Sequence, residues 1–387
     1  MSIQTVTFGT VFLAFLLMGA VATVVGATLP VVVREFHWSY STAGLLLAGN
    51  AAGYFCSTIV SGFVLPRFGV GRMLILGLCF QAVGVLLFGA DSRWIVNLAI
   101  LTLVGFGQGM LEVGANCTVI QLETRGQSRM MNLMHSAFTI GAVIAPLLTG
   151  LILDQSLHWR LIYFLLAGAS ALLACGMLWC RFPEIKLKAE TGSRLHAFRD
   201  RFLICCTVGI LLYVGVEMGV SSWIGEYYIV VIGGGIVSAS LLVSVFWGGI
   251  LLGRLGMGLC YLGQQHCRVL LVFSGVTVLG FVGLLLAQSS SHVFGSVFIT
   301  GMGLSVLYPM IMVLVGERYP EDHGLSVGMV ASGGGIGAFC FPLVMGWLAD
   351  TTDLRVGFSF FALMSVIMLG AVLAIVKSIA MNPSKAD

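Results

Sequence analysis

Three polar residues follow one another at four-residue intervals in the otherwise apolar stretch GQGMLEVGANCTVIQL. They are Gln108, Glu112 and Asn116. If this stretch is a helix, the three side chains lie on one face and form a stripe about two turns long. A carboxyl group can carry a proton or bind a hydroxyl group, and the amides can donate and accept hydrogen bonds. The stripe therefore predicts one wall of a wet binding cavity; the alternative is a polar cluster that bonds this helix to its neighbours.

A second acid lies in the apolar stretch LYVGVEMGVSSWIGEYY. Glu217 has Tyr213 and Ser221 at four-residue spacing, which again predicts a polar helix face. An acid in the middle of a bilayer costs about 2.5 to 3.5 kcal/mol on insertion scales, so such acids usually face a cavity or a partner. We interpret Glu217 as a second candidate for proton coupling and, together with Tyr213, for substrate binding. The alternative is a structural acid paired with Arg254 or with the backbone.

Four further residues have side chains suited to a polar substrate. His135 is a candidate proton relay next to Glu112, although a histidine in such a place also serves as a packing residue. Asn132 and Asn50 can bind substrate hydroxyl groups, and the alternative for Asn50 is a hydrogen bond between two helices. Trp247 can stack on a sugar ring or simply pack in the interior.

The elements that position these residues are predicted to be membrane helices. Of the 387 residues, 58% are hydrophobic and 9% are charged, whereas about a quarter are charged in a soluble domain. A membrane-spanning helix needs about 20 apolar residues, and without alternating polarity the runs do not fit a barrel. Twelve helices are predicted, of which the third and ninth are the shortest: 6–33, 41–65, 72–90, 94–120, 131–153, 161–181, 203–231, 237–262, 268–287, 292–316, 323–349 and 356–379.

Several classes of function are disfavoured by what the sequence lacks. The ten cysteines lie in or near apolar runs, and no Cys/His ligand spacing occurs, so we expect no metal site and no cofactor. The glycine-rich runs lie inside predicted helices and are not phosphate loops, which argues against ATP-driven transport. We find no nucleophile with a base, as an enzyme requires, and no soluble output domain, as a sensor requires. The expected partners are a small-molecule substrate, protons and the lipid bilayer, without nucleic acid, and the expected functional state is a monomer.

The positions of the basic residues predict the orientation. Basic residues accumulate on the cytoplasmic side of a membrane protein. Placing the N-terminus inside puts fifteen of the nineteen lysines and arginines on that side. The first run is too long for a signal peptide and follows no basic leader, so we read it as an uncleaved helix. We therefore expect a multi-pass protein of the bacterial inner membrane with both termini cytoplasmic.

The chain is predicted to consist of two similar halves. The polar stretch 182–201 lies at its middle and is interpreted as a cytoplasmic linker between residues 1–181 and 202–387. An offset of 196 pairs scaffold residues of the two parts, among them Gly53 with Gly249, Arg72 with Arg268, Pro146 with Pro342, and Asp154 with Asp350. An offset of 194 pairs Gly107 and Gly109 with Gly301 and Gly303. That second offset makes Met302, Val306 and Met310 the counterparts of the polar stripe.

The segment GFVLPRFGVGRML, predicted to be the loop after the second helix, resembles the signature loop of the major facilitator superfamily. Gly62, Arg67, Gly69 and Arg72 match that pattern, but Pro66 stands where the family has Asp. The resemblance implies an all-α fold of twelve helices in two pseudo-symmetric six-helix halves, with this loop gating the cytoplasmic side. The departure at Pro66 removes one member of the family's charge lock.

Three further stretches narrow the resemblance to the fucose permease (fucose:proton symporter) branch. They are the stripe-bearing segment, RMMNLMHSAFTIGAVIAPLL, and the segment around Glu217. This resemblance implies proton-coupled symport of a sugar by alternating access, although the acid that the branch carries in its first helix is absent here. The alternative is a proton-coupled drug or metabolite exporter. Gly141, Pro146 and Gly150 partly match the exporters' fifth-helix motif, with Ala145 and Thr149 replacing two of its glycines.

Overall fold

The computed structural model describes residues 3–122, 129–180, 182, 200–260, 266–319 and 323–381. Within these ranges twelve helical spans are long and apolar enough to cross a membrane, which confirms the predicted all-α membrane fold. The helices are α1 (Ile3–Phe36), α2 (Tyr40–Phe68), α3 (Val70–Leu87), α4 (Trp94–Leu122), α5 (Arg129–Asp154), α6 (Arg160–Met177), α7 (Arg201–Tyr227), α8 (Ile236–Cys260), α9 (His266–Leu285), α10 (Ser290–Leu304), α11 (Leu307–Arg318), α12 (His323–Thr351) and α13 (Leu354–Met381). A π-helical turn, Tyr228–Ile232, extends α7.

Two details of the predicted helices were wrong. The sixth span, α6, has 18 residues and is as short as α3, whereas the ninth has 20. The tenth span is not one helix but two, α10 and α11, with Ser305 and Val306 between them. Pro309 favours this break, because proline has no N–H to donate to the carbonyl four residues earlier, and its ring clashes with that carbonyl. Proline alone does not enforce a break, since Pro30, Pro146 and Pro342 lie inside continuous helices.

The chain forms two compact units. Unit 1 comprises Met1–Ala189 with Gly235–Ser244, and unit 2 comprises Glu190–Gly234 with Val245–Asp387. The first part of α8 therefore belongs to unit 1. Residues 183–199 of the predicted linker lie outside the described residues.

Glycines allow the helices of each unit to pack backbone against backbone. In unit 1, a methyl group added at Gly53 would lie 2.0 Å from the carbonyl oxygen of Thr102, and one at Gly105 would lie 1.9 Å from that of Asn50. In unit 2 the same role belongs to two glycines of α8 and α10. A methyl group there would lie 2.3 Å or less from a carbonyl oxygen, in the pairs Gly249–Phe298 and Gly301–Phe246. Each of these residues differs by 196 from its equivalent in unit 1.

The same offset holds further along these helices. A methyl group at Gly107 would meet the backbone nitrogen of Gln81, and one at Gly303 would meet that of Thr277. These pairs also differ by 196, so the separate offset of 194 predicted for this region was wrong. The true counterparts of the polar stripe are Leu304, Tyr308 and Met312.

Apolar side chains next to the stripe anchor α4 in unit 1. Leu111, Ala115 and Val119 are fully buried in a cluster that also contains Phe15 and Met73. In a bilayer such contacts stabilise helix packing through van der Waals attraction and not by removing surface from water, because lipid chains are as apolar as these side chains. The neighbouring positions Gln108, Glu112 and Asn116 are thus carried on a firmly packed helix.

We expect Gly105→Ala to lower the melting temperature of the detergent-purified protein by several degrees. The added methyl group would overlap the Asn50 carbonyl, and overpacking of this kind costs about 1 to 3 kcal/mol. Gly168→Ala in α6 is the matched control, because no atom lies within 4 Å of the position of its added methyl group. Both changes improve helix propensity equally. Equal melting temperatures for the two variants would contradict the close α2–α4 packing.

Candidate functional site

The polar stripe on α4 is present as predicted, and its two residues nearer the C-terminal end of the helix, Glu112 and Asn116, are bonded to each other. The Nδ2 atom of Asn116 donates to Oε1 of Glu112 at 2.9 Å. Both side chains are half-buried. The amide thus holds the carboxylate in place through an i, i+4 contact along one helix face.

The third residue of the stripe, Gln108, bonds to the neighbouring helix α2. The Nδ2 atom of Asn50 donates to Oε1 of Gln108 at 3.3 Å and to the carbonyl oxygen of Leu101 at 3.2 Å. Gln108 is only 4% exposed. This contact is possible because Gly53 and Gly105 bring the two helices together, as described above. Asn50 therefore forms the hydrogen bond between helices that was predicted as its alternative role. The same bond orients the side chain of Gln108.

Two buried atoms of the stripe keep hydrogen-bonding capacity. Among the described residues, no partner bonds to Nε2 of Gln108 or to Oδ1 of Asn116. The same is true of the Oγ atom of Ser57, which lies on α2 beside Gly109 of α4. A buried polar atom without a partner costs about 1 to 3 kcal/mol. A donor and an acceptor on one face of α4 are therefore available to a ligand or a water molecule.

His135 and Asn132 lie in α5, at the end that begins with Arg129. The imidazole ring of His135 packs edge-on against the ring of Phe15, with the centroids 5.3 Å apart. This contact fits the packing role raised for the histidine. The side chain of Asn132 lies outside the described residues.

In unit 2, Glu217 lies in a cluster of internal contacts. The hydroxyl group of Tyr213 donates a short hydrogen bond to Oε1 of Glu217, and Nη2 of Arg254 is 3.9 Å from the same oxygen. The residue is 6% exposed. The structure thus contains the Arg254 pairing that sequence analysis gave as the alternative. A buried carboxylate with a guanidinium partner is compensated within its own unit.

Trp247 also has its polar atom bonded within its unit. Its Nε1 atom donates to Oγ of Ser221 at 2.8 Å, and its ring lies edge-on to that of Phe246. Only 1% of the residue is exposed. The arrangement favours the packing role for Trp247 over stacking on a sugar.

One small cavity in unit 1 lies beside Asn50. Its volume is about 30 Å³, and its lining is apolar apart from Asn50 and Tyr163. A water molecule occupies about 30 Å³ in the liquid, whereas ligand pockets measure about 300 to 1,000 Å³. This cavity therefore has room for water and not for a sugar.

The segment predicted to be a gating loop is almost entirely helical. Gly62 and Arg67 lie in α2 and Arg72 lies in α3, so Gly69 alone separates the two helices. Gly69 has a φ of 77°, which favours glycine and permits the sharp turn. The side chains of Arg67 and Arg72 are exposed. The length predicted for this loop was wrong because the polar residues continue the helices.

Two features were not predicted from the sequence, the unpartnered hydroxyl group of Ser57 in α2 and the break near Ser305. Ser57 was passed over because a serine in an apolar run usually bonds its own helix backbone. Pro309 alone does not predict the break near Ser305, because Pro146 and Pro342 also lie inside predicted spans and their helices are continuous.

Residues 11–286 and 259–385 match the sequence model of the Major Facilitator Superfamily. In fold, the chain is similar to the crystal structure of a D-xylose-proton symporter, with a TM-score of 0.81 and 14% identity over 96% of this chain and 97% of that one.

Three curated relatives match over most of their length. A glucose/galactose transporter of Brucella abortus is 24% identical over 89% of this chain and 88% of that protein. The glucose/mannose transporter GlcP of Bacillus subtilis is 20% identical over 95% and 93%. Multidrug resistance protein 1 of Bacillus subtilis is 24% identical over 96% and 95%.

Proposed function

The chain belongs to the Major Facilitator Superfamily, and from that membership we propose that it is a secondary transporter of a sugar or a similar polar metabolite. The proposed mode is proton-coupled symport by alternating access, in which conformational change exposes the substrate to each side of the membrane in turn. The role is transport and not catalysis.

The observation that carries this proposal is the spare hydrogen-bonding capacity on α4. The Nε2 atom of Gln108 is a donor and the Oδ1 atom of Asn116 is an acceptor, and neither has a partner among the described residues. A sugar hydroxyl group can satisfy either atom, because it both donates and accepts. Gln108 and Asn116 lie about 12 Å apart along the helix axis, so a sugar with several hydroxyl groups can satisfy one of the two atoms directly, with water bridging to the other.

The relatives support a sugar and also define the alternative. The names of two relatives specify glucose with galactose or mannose, and that of the third specifies multidrug resistance. An exporter of amphipathic drugs would need an apolar binding surface. The polar stripe favours the sugar, and export remains the second outcome that the experiment below distinguishes.

We assign proton coupling to Glu112. Its bonded partner is the neutral amide of Asn116, whereas Glu217 has the guanidinium of Arg254 beside it. Among the described residues, no cation forms a salt bridge with Glu112. Protonation of Glu112 therefore removes an uncompensated charge, and this changes how strongly the stripe must be hydrated. His135 is retained as the candidate relay, and Glu217 as a residue that stabilises unit 2.

The proposed location is the bacterial inner membrane, with both termini and the linker 182–201 in the cytoplasm. Arg67 and Arg72 would then lie on the cytoplasmic side, where basic residues accumulate. The proposed halves are 1–181 and 202–387, acting as a monomer.

Proteoliposomes that contain the purified protein provide the test of the function. With an imposed inward proton gradient, we expect accumulation of glucose, galactose, mannose, xylose or fucose, and alkalinisation of the external medium on adding the transported sugar. Symport moves both species inward, so the two fluxes share a direction. Drug movement opposite to proton movement, with none of the sugars transported, would instead establish the exporter.

Glu112→Gln tests the coupling assignment on a sugar found in that screen. We expect uphill accumulation to fall to the level without a gradient, while exchange of labelled for unlabelled sugar continues, because glutamine keeps the hydrogen-bonding shape but cannot release a proton. Glu317→Gln is the control, since Glu317 is an exposed acid near His266 at the end of α11. Undiminished uphill uptake by Glu112→Gln would remove Glu112 from the coupling role.

A further inference from the structure

The break between α10 and α11 leaves one backbone acceptor to be satisfied. In a continuous helix the carbonyl of Ser305 would accept from the N–H of residue 309, which is proline and has none. Ser305 is fully buried. An unsatisfied carbonyl in the hydrocarbon region costs several kcal/mol. The break therefore requires a donor from another helix.

Arg254 of α8 supplies that donor. Its Nε atom donates to the carbonyl oxygen of Ser305 at 3.1 Å. The neighbouring Gly253 makes room for this approach, because a methyl group there would lie 2.2 Å from Oγ of Ser305. The Oγ atom in turn donates to the carbonyl of Met302 at 2.6 Å and closes the end of α10.

Unit 1 shows the same scaffold without the break. The residues 196 positions before Pro309 and Arg254 are Val113 and Thr58. Valine has the N–H that proline lacks, and α4 runs unbroken from Trp94 to Leu122. Proline and arginine thus occur together in unit 2 and are both missing at the equivalent positions of unit 1.

We propose that Arg254 is a positioning residue that replaces the hydrogen bond lost at Pro309 and so fixes the direction in which α11 leaves α10. The residue it places is Tyr308, which lies in the first turn of α11 and is the counterpart of Glu112. The ring of Tyr308 lies 6.0 Å from that of Tyr213.

The same guanidinium also joins the break to α7. Nη2 of Arg254 is 3.5 Å from the hydroxyl oxygen of Tyr213 and 3.9 Å from Glu217. Arg254 therefore links three helical segments of unit 2 at one point. A substitution at Glu217 would therefore alter the position of the Arg254 side chain and, through it, the direction of α11.

A thermal-stability cycle tests the inference. All variants carry Glu217→Gln, so that losing the guanidinium does not leave an uncompensated carboxylate. In this background we expect Arg254→Met to lower the melting temperature by about 3 to 8 °C, because the Ser305 carbonyl loses its donor. In the further presence of Pro309→Ala, the same change should lower it by less than half as much, since alanine restores the N–H.

The control is Thr58→Met, the equivalent substitution in unit 1. It should shift the melting temperature equally with and without Pro309→Ala. Additive effects of Arg254→Met and Pro309→Ala would overturn the inference. If Arg254→Met does not yield a folded protein, recovery of folded protein by adding Pro309→Ala supports it, and failure to recover contradicts it.

A transport measurement separates positioning from support of the fold, and this arm rests on the proposed function. We expect Glu217→Gln/Arg254→Met/Pro309→Ala to raise the KM for the sugar by at least about tenfold over that of Glu217→Gln alone, because a straightened span displaces Tyr308. Equal KM values for these two variants would show that the break places no substrate-contacting residue. If no sugar is transported by the unsubstituted protein, the proposed function fails, while the stability cycle still decides whether Arg254 replaces the missing bond.

Discussion

A hydrocarbon environment offers no hydrogen-bonding partner, so every polar group in the spans of this protein must be satisfied by the chain itself or by something it binds. Most of the buried polar groups obey this constraint through internal bonds. Trp247 bonds to Ser221, Tyr213 bonds to Glu217, and the carbonyl freed by Pro309 receives Arg254. Unpartnered buried atoms also occur elsewhere, among them Oε1 of Gln81 and Oγ of Ser326, but those of Gln108 and Asn116 lie in one polar stripe with Glu112, and we propose that a ligand or water completes the structure there.

The two units use one scaffold for different purposes. Glycines 196 residues apart bring α2 against α4 and α8 against α10 at nearly the same distances. On this scaffold unit 1 places Asn50 and Gln108 where unit 2 has Phe246 and Leu304. Unit 1 thus carries the polar stripe on α4, whereas unit 2 carries an internally compensated ion pair and a broken span. We infer that recognition depends mainly on unit 1 and the direction of α11 on unit 2.

The helices and the α4 stripe were predictable because apolar length and four-residue spacing are local properties of the sequence. The bond between Asn50 and Gln108 was not, since it depends on how closely two glycines bring their helices together. The offset of 194 failed because similar glycine patterns recur at several positions, and only the contacts of Gly107 and Gly303 show which are equivalent. The pairing of Glu217 with Arg254 was foreseen as one alternative, and only the distance between the two side chains shows that it is present.

The most direct test of the account is the sugar affinity of Gln108→Ala measured beside that of Gln81→Ala. Gln81 is fully buried in the same unit and also has an amide atom, Oε1, without a described partner, but its Nε2 bonds to Ser170 of α6. Isothermal titration with the transported sugar should show a dissociation constant raised about tenfold or more for Gln108→Ala, and little changed for Gln81→Ala. Equal affinities for both variants and the unsubstituted protein would contradict the claim that the α4 stripe binds the substrate.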